Sequence, residues 1–252
     1  MATPAKPLRD LDPEMHQHGG AAKRHYVQTL FGTIAGSYDR FTRGFSMGMD
    51  ARWKRSLVTT VAARLPDNPV VLDLATGTGD LACALAAARP DAVVVGADLS
   101  LPMLRAGRVR RAASASDMQM LPHARDTFDA VLAGYAFRNA PDAKAALMEI
   151  RRVLRPGGCL AALDFYLPAS SVWRRVFLGY LGVAGGLVGR VTHGVAASYG
   201  YIASSLKPWM TAHAFADLLR EIGFVDVMAH RRLLGGIAIH VACLAARGCV
   251  RR

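Results

Sequence analysis

The chain has no long apolar run. Its most apolar uncharged stretch, 176–189, is 14 residues, well short of the roughly 20 a helix needs to cross a bilayer, so no transmembrane segment is expected. The first 20 residues carry prolines, histidines and mixed charge without the apolar core of a secretory signal, which predicts a cytoplasmic protein. Cysteine is scarce: Cys83, Cys159, Cys243 and Cys249 show no zinc-ligand spacing, so no metal site is expected, and the four read as core filler in a reducing compartment. There is no lysine-rich tail and no basic stretch interleaved with aromatics, which argues against a nucleic-acid module. The net charge of +12 still leaves an anionic lipid surface or a basic proteome as its source.

At 252 residues and 52% hydrophobic composition, the chain is long enough for one sizeable α/β core. The apolar run Val70–Leu74 breaks at Gly77-Thr78-Gly79 and leads into an alanine-rich segment, 80–89, so strand, tight turn and helix follow one another. Val93–Asp98 is a second β-branched run, followed by a helical composition over 101–111 and a weakly marked third strand before Asp117. A strand over 128–135, an amphipathic helix over 142–154, a turn over 155–158 and a strand over 159–166 come next. A helix over 211–222 and two strands, 224–231 and 237–245, close the chain, the strands as an antiparallel hairpin at a sheet edge. Such alternation predicts a mostly parallel sheet with helices on both faces. Segments 26–38 and 50–63 read as helices of a lid. The stretch 176–189, flanked by Arg174-Arg175 and Arg190, suits a helix at a membrane surface or along an apolar pocket, or a glycine-rich core helix.

The turn after the first strand is where an open α/β sheet binds ligands. Asp73, Gly77, Gly79 and Asp80 surround it. The third glycine of the dinucleotide fingerprint is missing, and the carboxylates on either side would repel a pyrophosphate. A cofactor with a free ammonium and a sulfonium fits this turn better. Asp98 ends the second strand, placed to accept hydrogen bonds from ribose hydroxyls or to partner Ser100 at a helix N-terminus. Asp117 stands at the next strand end, within reach of an adenine amino group, or is an ordinary loop aspartate.

Phe31-x-x-Ile34-Ala35-x-x-Tyr38-Asp39, Phe45-Ser46-Met47-Gly48 with Trp53-Lys54-Arg55, 71–80, Phe137-Arg138-Asn139, 152–158 and Tyr199-x-Tyr201-x-x-x-Ser205 together resemble class I methyltransferases, and most closely the quinone-biosynthesis C-methyltransferases. The resemblance implies a Rossmann-like fold spanning 26–247, preceded by a flexible extension, 1–25, with a helical lid over 26–65 and an apolar insertion on the substrate side over 167–210. It implies S-adenosyl-L-methionine as cofactor, contacted at Tyr38, Thr78, Asp98 with Leu99, Asp117 with Met118, and Gly134, alongside the glycine turn. It also implies a prenylated quinol as the methyl acceptor, peripheral contact with an anionic membrane, and a homodimer as one assembly open to the chain. Position 134 is usually serine in that family and position 123, here His123, is commonly phenylalanine; the segment before Asp117 is shorter than usual.

For transfer to an aromatic carbon, ionising a neighbouring phenol of pKa about 10 activates the ring. Arg138 is the candidate cation for that oxygen, against the reading of a surface salt bridge. His193, Tyr201 and Asp164 are the candidate proton acceptors. Competing expectations are a phenolic or polyketide-like acceptor methylated on oxygen or carbon, and a non-catalytic protein of this fold that binds nucleic acid or a protein partner.

Overall fold

A computed structural model describes residues 20–109, 112–193 and 197–246, and within them the side chains outside 40–41, 45 and 187–200. Helices α1 (Gly20–Ile34), α2 (Tyr38–Phe45) and α3 (Met49–Ala62) precede the sheet. The alternating core follows: β1 (Val70–Leu74), α4 (Asp80–Ala88), β2 (Val93–Asp98), α5 (Leu101–Ala106), β3 (Ala113–Ala115), β4 (Phe128–Gly134), α6 (Ala143–Val153) and β5 (Leu154–Phe165). Then come α7 (Ser171–His193), α8 (Ala197–Leu206), α9 (Ala212–Ile222), β6 (Val225–Arg232) and β7 (Ile237–Cys243).

The seven strands run in the order β3-β2-β1-β4-β5-β7-β6, parallel from β3 to β5. Strand β7 lies antiparallel to both β5 and β6, so the closing hairpin forms the edge as expected. Helices α6 and α9 open on Asp142 and Thr211, whose side chains accept from the amides of Ala145 and Ala214, capping donors the helix leaves unpaired. Leu72, Val131, Leu160 and Ala242 on one face and Val71, Ala130, Ala161 and Val241 on the other are all fully buried, so the sheet is covered on both faces.

Four expectations need correction. The segment 26–38 is not one helix: α1 begins at Gly20 and stops at Ile34, and after a turn Tyr38 opens α2. The turn expected over 155–158 lies inside β5, because pairing jumps from Phe128↔Leu154 to Ala130↔Cys159 and the extra residues form a bulge at Gly157, whose φ is +81°. Cys159 and Cys243 are not isolated filler. They face one another across β5 and β7 and form a disulfide, with Cα atoms 4.0 Å apart; Cys83 is free, and Cys249 lies outside the described residues. The glycine-rich core helix needs narrowing to one face: Phe177, Leu181 and Gly185 of α7 are buried, whereas a Cβ on Gly179, Gly182 or Gly186 would meet nothing within 4 Å.

Candidate functional site

The carboxyl ends of β1, β2 and β4 open onto a cavity of about 1000 Å³, counting the part open to solvent, the more polar of two that adjoin. Tyr38, Asp73, Gly77, Thr78, Asp98, Leu99, Asp117, Met118 and Gly134, all named from the sequence, line it. Gly79 does not. It sits behind the wall, with φ of +88°, where a Cβ would come within 2.6 Å of Val109 Cγ2, so its glycine serves the turn itself.

The turn is held by its own acids. Asp73 Oδ2 accepts from Thr76 Oγ1 at 2.6 Å and from the Ala82 amide at 3.0 Å. Burial nevertheless pushes its carboxyl up to about 7, against those two bonds. Asp98 accepts from the Gly77 amide through Oδ2 and from the Ser100 amide through Oδ1, both at 2.8 Å. Burial raises this carboxyl too, opposed by the same two amides. Asp98 thus steadies the start of α5, as one of its two readings has it, and lines the cavity. Asp80 is less repulsive than the sequence suggests, because Lys54 lies 2.9 Å from Oδ2 and Arg108 binds Oδ1.

Helix α1 lies across this cavity. Lys23 donates to the Ala140 carbonyl at 2.7 Å, Arg24 pairs with Asp117 at 2.7 Å, and Gln28 donates to the Leu99 carbonyl at 3.3 Å. Thr78 is tied to the next helix, donating to Asp39 at 2.6 Å.

A second cavity, about 760 Å³ and mostly apolar, lies on the other side of Tyr38. Its walls include Trp53 from α3, Phe165 from the end of β5, Phe177 and Leu181 from α7, and Tyr201 from α8. Phe31, Tyr38 and Tyr135 line both cavities, so the two meet at an aromatic partition.

Arg138 faces the apolar cavity, and it is no surface salt bridge. It is 4% exposed, and its Nη1 lies 2.6 Å from Oδ1 of the fully buried Asp164. Its guanidinium stands 5.1 Å over the Phe165 ring, and its Nε has no hydrogen-bond partner among the described residues. Asp164 is thereby committed to Arg138; burial raises its carboxyl while the guanidinium opposes the shift. Tyr201 donates to Asn139 Oδ1 at 3.0 Å, and burial raises its hydroxyl. His193 ends α7, and its side chain lies outside the described residues.

Sequence reasoning missed Tyr135, Asp50 and Lys54. Tyr135 follows β4 in the left-handed region at φ of +57°. Its hydroxyl donates to Asp50 at 2.7 Å, and the other oxygen of Asp50 is 2.8 Å from Lys54. Burial alone disfavours the Lys54 charge, but Asp50, Tyr38 and Asp80 outweigh it and raise its pKa. The only signal available beforehand was the Trp53-Lys54-Arg55 motif, which says nothing about Tyr135.

Residues 20–244 match the profile of the ubiE/COQ5 methyltransferase family. A ubiquinone/menaquinone biosynthesis C-methyltransferase of Desulfotalea psychrophila is 39% identical over 85% of this chain and 88% of its own length. A demethylmenaquinone methyltransferase of Streptomyces avermitilis is 37% identical over 86% and 93%. Among solved structures, the CurJ carbon methyltransferase superposes with a TM-score of 0.63 at 16% identity, covering 94% of this chain and 62% of that one. A SAM-dependent methyltransferase of Thermotoga maritima gives 0.56 at 17% identity, over 85% of this chain and 98% of that one. The structural neighbours establish the class I methyltransferase fold and nothing narrower.

Proposed function

Because the chain belongs to the ubiE/COQ5 methyltransferase family, we propose that it moves a methyl group from S-adenosyl-L-methionine to a ring carbon of a prenylated hydroquinol, in menaquinone or ubiquinone biosynthesis. The observation that carries this reading is the aromatic partition: a polar nucleoside-sized cavity and an apolar one share Phe31, Tyr38 and Tyr135.

The polar cavity suits a cationic nucleoside. Asp73, Asp98 and Asp117 bring carboxylates to it, and at Gly77, with φ of +56°, a Cβ would crowd Met103 Cε at 3.1 Å. When bound, the cofactor supplies an electrophilic methyl group on a sulfonium. The chain's own work is to hold the ring against the partition, keep water out and stabilise the ring oxygen as it ionises. Arg138 does the last of these: its unpartnered Nε is a buried cationic donor, already neutralised by Asp164 and therefore stable inside an apolar wall. Asn139 on the first cavity and Tyr201 on the apolar one, bonded to one another, tie the two walls together.

The tail and the membrane belong to the same reading. No helix among the described residues is long and apolar enough to cross a bilayer. Helix α7 turns Phe177 and Leu181 into the apolar cavity while Val172, Val176 and Val183 face outward, and Leu234 is exposed beside Leu233 on the turn between β6 and β7. Tyr180 and Leu233 line the cavity and are partly exposed, so this stripe borders its mouth. Arg175, Arg231 and Arg232 are exposed beside it. Apolar side chains ringed by cations suit an anionic lipid surface that holds the substrate.

The test is transfer of a labelled methyl group to prenylated naphthoquinol and benzoquinol acceptors, with product mass and methyl position determined. Carbon methylation of a prenylated acceptor is expected; cofactor binding without transfer to any hydroquinol overturns the proposal. Sedimentation with anionic vesicles, and not with zwitterionic ones, is the matching test for the stripe.

A further inference from the structure

The partition between the two cavities is connected to solvent by a chain of polar groups. Tyr135 donates to Asp50 Oδ1 at 2.7 Å. Asp50 Oδ2 lies 2.8 Å from Lys54, and Lys54 lies 2.9 Å from Asp80. Asp80 is bound in turn by the half-exposed Arg108. Asp50, Lys54, Asp80 and Arg108 all line a third cavity, about 1140 Å³ counting its solvent-open part. Asp50 itself is buried at 7% exposure, and its amide is held by Ser46 Oγ at 3.3 Å. A carboxylate carried this deep and aimed at one tyrosine hydroxyl is costly unless paired. Tyr135 also adopts a backbone conformation that residues with a Cβ rarely take.

Resting on the hydroquinol reading above, we infer that Tyr135 and Asp50 form a proton relay. The Tyr135 oxygen takes the proton of the acceptor's ring hydroxyl as its own proton passes to Asp50 Oδ1, and the third cavity is the exit to water. The ring O–H bond breaks with its electron pair left on oxygen, which makes the neighbouring carbon nucleophilic toward the methyl group. That carbon then sheds its hydrogen as a proton and the oxygen takes one up. One proton leaves through Asp50 for each methyl group transferred. Tyrosine never carries a net charge in this scheme, which fits its surroundings: burial and Asp50 both raise its pKa well above the ordinary value. The charged and titratable groups facing the pair are Tyr38 from α2, Lys54 from α3, Asp80 from α4, Arg138 beyond β4 and Asp164 from β5. Tyr135 is thus a catalytic residue, and Asp50 acts through it.

The experiment compares wild type, Tyr135→Phe, Asp50→Asn and Asp50→Glu as full chains. Methyl transfer to a chemically reduced prenylated naphthoquinol is followed from pH 6 to 10, and calorimetry measures binding of a prenylated 1-naphthol to the cofactor-free proteins. Expected for Tyr135→Phe and Asp50→Asn is a fall in kcat at pH 7 of roughly 10²- to 10³-fold, with the naphthol Kd changed by less than about threefold. The deficit should shrink toward pH 10, where the acceptor ionises unaided at about its own pKa. Asp50→Glu should recover part of the rate. An intact kcat in Tyr135→Phe, or a deficit that stays constant with pH, overturns the relay and leaves the pair as an anchor between α3 and β4. If Asp50→Asn does not fold, the Tyr135→Phe pH profile decides alone. Absence of transfer by wild type to any hydroquinol would instead refute the substrate reading, so the two failures are distinguishable.

Discussion

The two cavities that meet at Tyr135 are walled in different ways. The polar one is made by strand ends and the turns that leave them, with backbone amides and short acids as its working parts: Gly77, Asp73, Asp98. The apolar one is made by large side chains from helices that come together from both ends of the chain, Trp53 from α3, Phe177 from α7 and Tyr201 from α8, around a buried ion pair. In the proposed reaction the turn of fixed backbone shape would hold the cofactor. A wall of aromatic side chains can be reshaped one residue at a time, so in the proposed reaction it is the part that would set the acceptor.

The sharpest way to break this contrast is to remove the ion pair. Arg138→Met leaves Asp164 as an uncompensated charge at 0% exposure and should destabilise the fold by about 3–5 kcal/mol, measured by denaturant unfolding. Adding Asp164→Leu should restore most of the stability without restoring methyl transfer. A single-variant loss below about 1 kcal/mol would mean the apolar wall is not organised around the pair. Next in size, Asp98→Ala should weaken S-adenosylhomocysteine binding by about 10²-fold, the worth of one or two bonds to a charged acceptor. Binding of a prenylated naphthol should survive that change, and joint loss of both ligands in calorimetry would show that the cavities are not separable.

A smaller effect is expected at Gly134. A Cβ there would stand 3.0 Å from Leu81 Cδ1, so Gly134→Ser should cost about 1–3 kcal/mol in thermal unfolding, relieved in part by Leu81→Val. An unchanged melting temperature would show that Leu81 yields freely. The smallest concerns Asp73, whose folded-state pKa near 7 lies above the unfolded 3.8. The folded protein therefore holds this proton where the unfolded chain has lost it, and the stability it contributes is full below the unfolded value and lost as pH rises through 7. Relative to Asp73→Asn, wild type should lose about 1 kcal/mol between pH 6 and 7; parallel unfolding curves would put the Asp73 shift in error.

The contrast also explains what the sequence could disclose. Asp73, Gly77 and Asp98 lie within one strand-helix-strand unit, where local pattern and chain order dictate who faces the cleft. Even the faint β3 follows from the same repeat. Tyr135 meets Asp50 across 85 positions, and Cys159 meets Cys243 across 84. Such pairings come from the packing of α3 on the sheet and from the antiparallel return of β7, which residue order does not encode locally. The positive φ of Tyr135 carries no sequence signature either, since a glycine would ordinarily mark it. The bulge at Gly157 looked like a plain turn because Arg-Pro-Gly-Gly serves both.

One short stretch, 134–139, lines the polar cavity with Gly134 and Asn139, divides it from the apolar one with Tyr135, and supplies Arg138 to the far side. In the proposed reaction donor and acceptor would both be registered by this one hexapeptide at the carboxyl end of β4. An insertion or deletion of one residue there would shift both together, whereas a substitution on the distant helices α3, α7 or α8 would reshape the apolar wall alone.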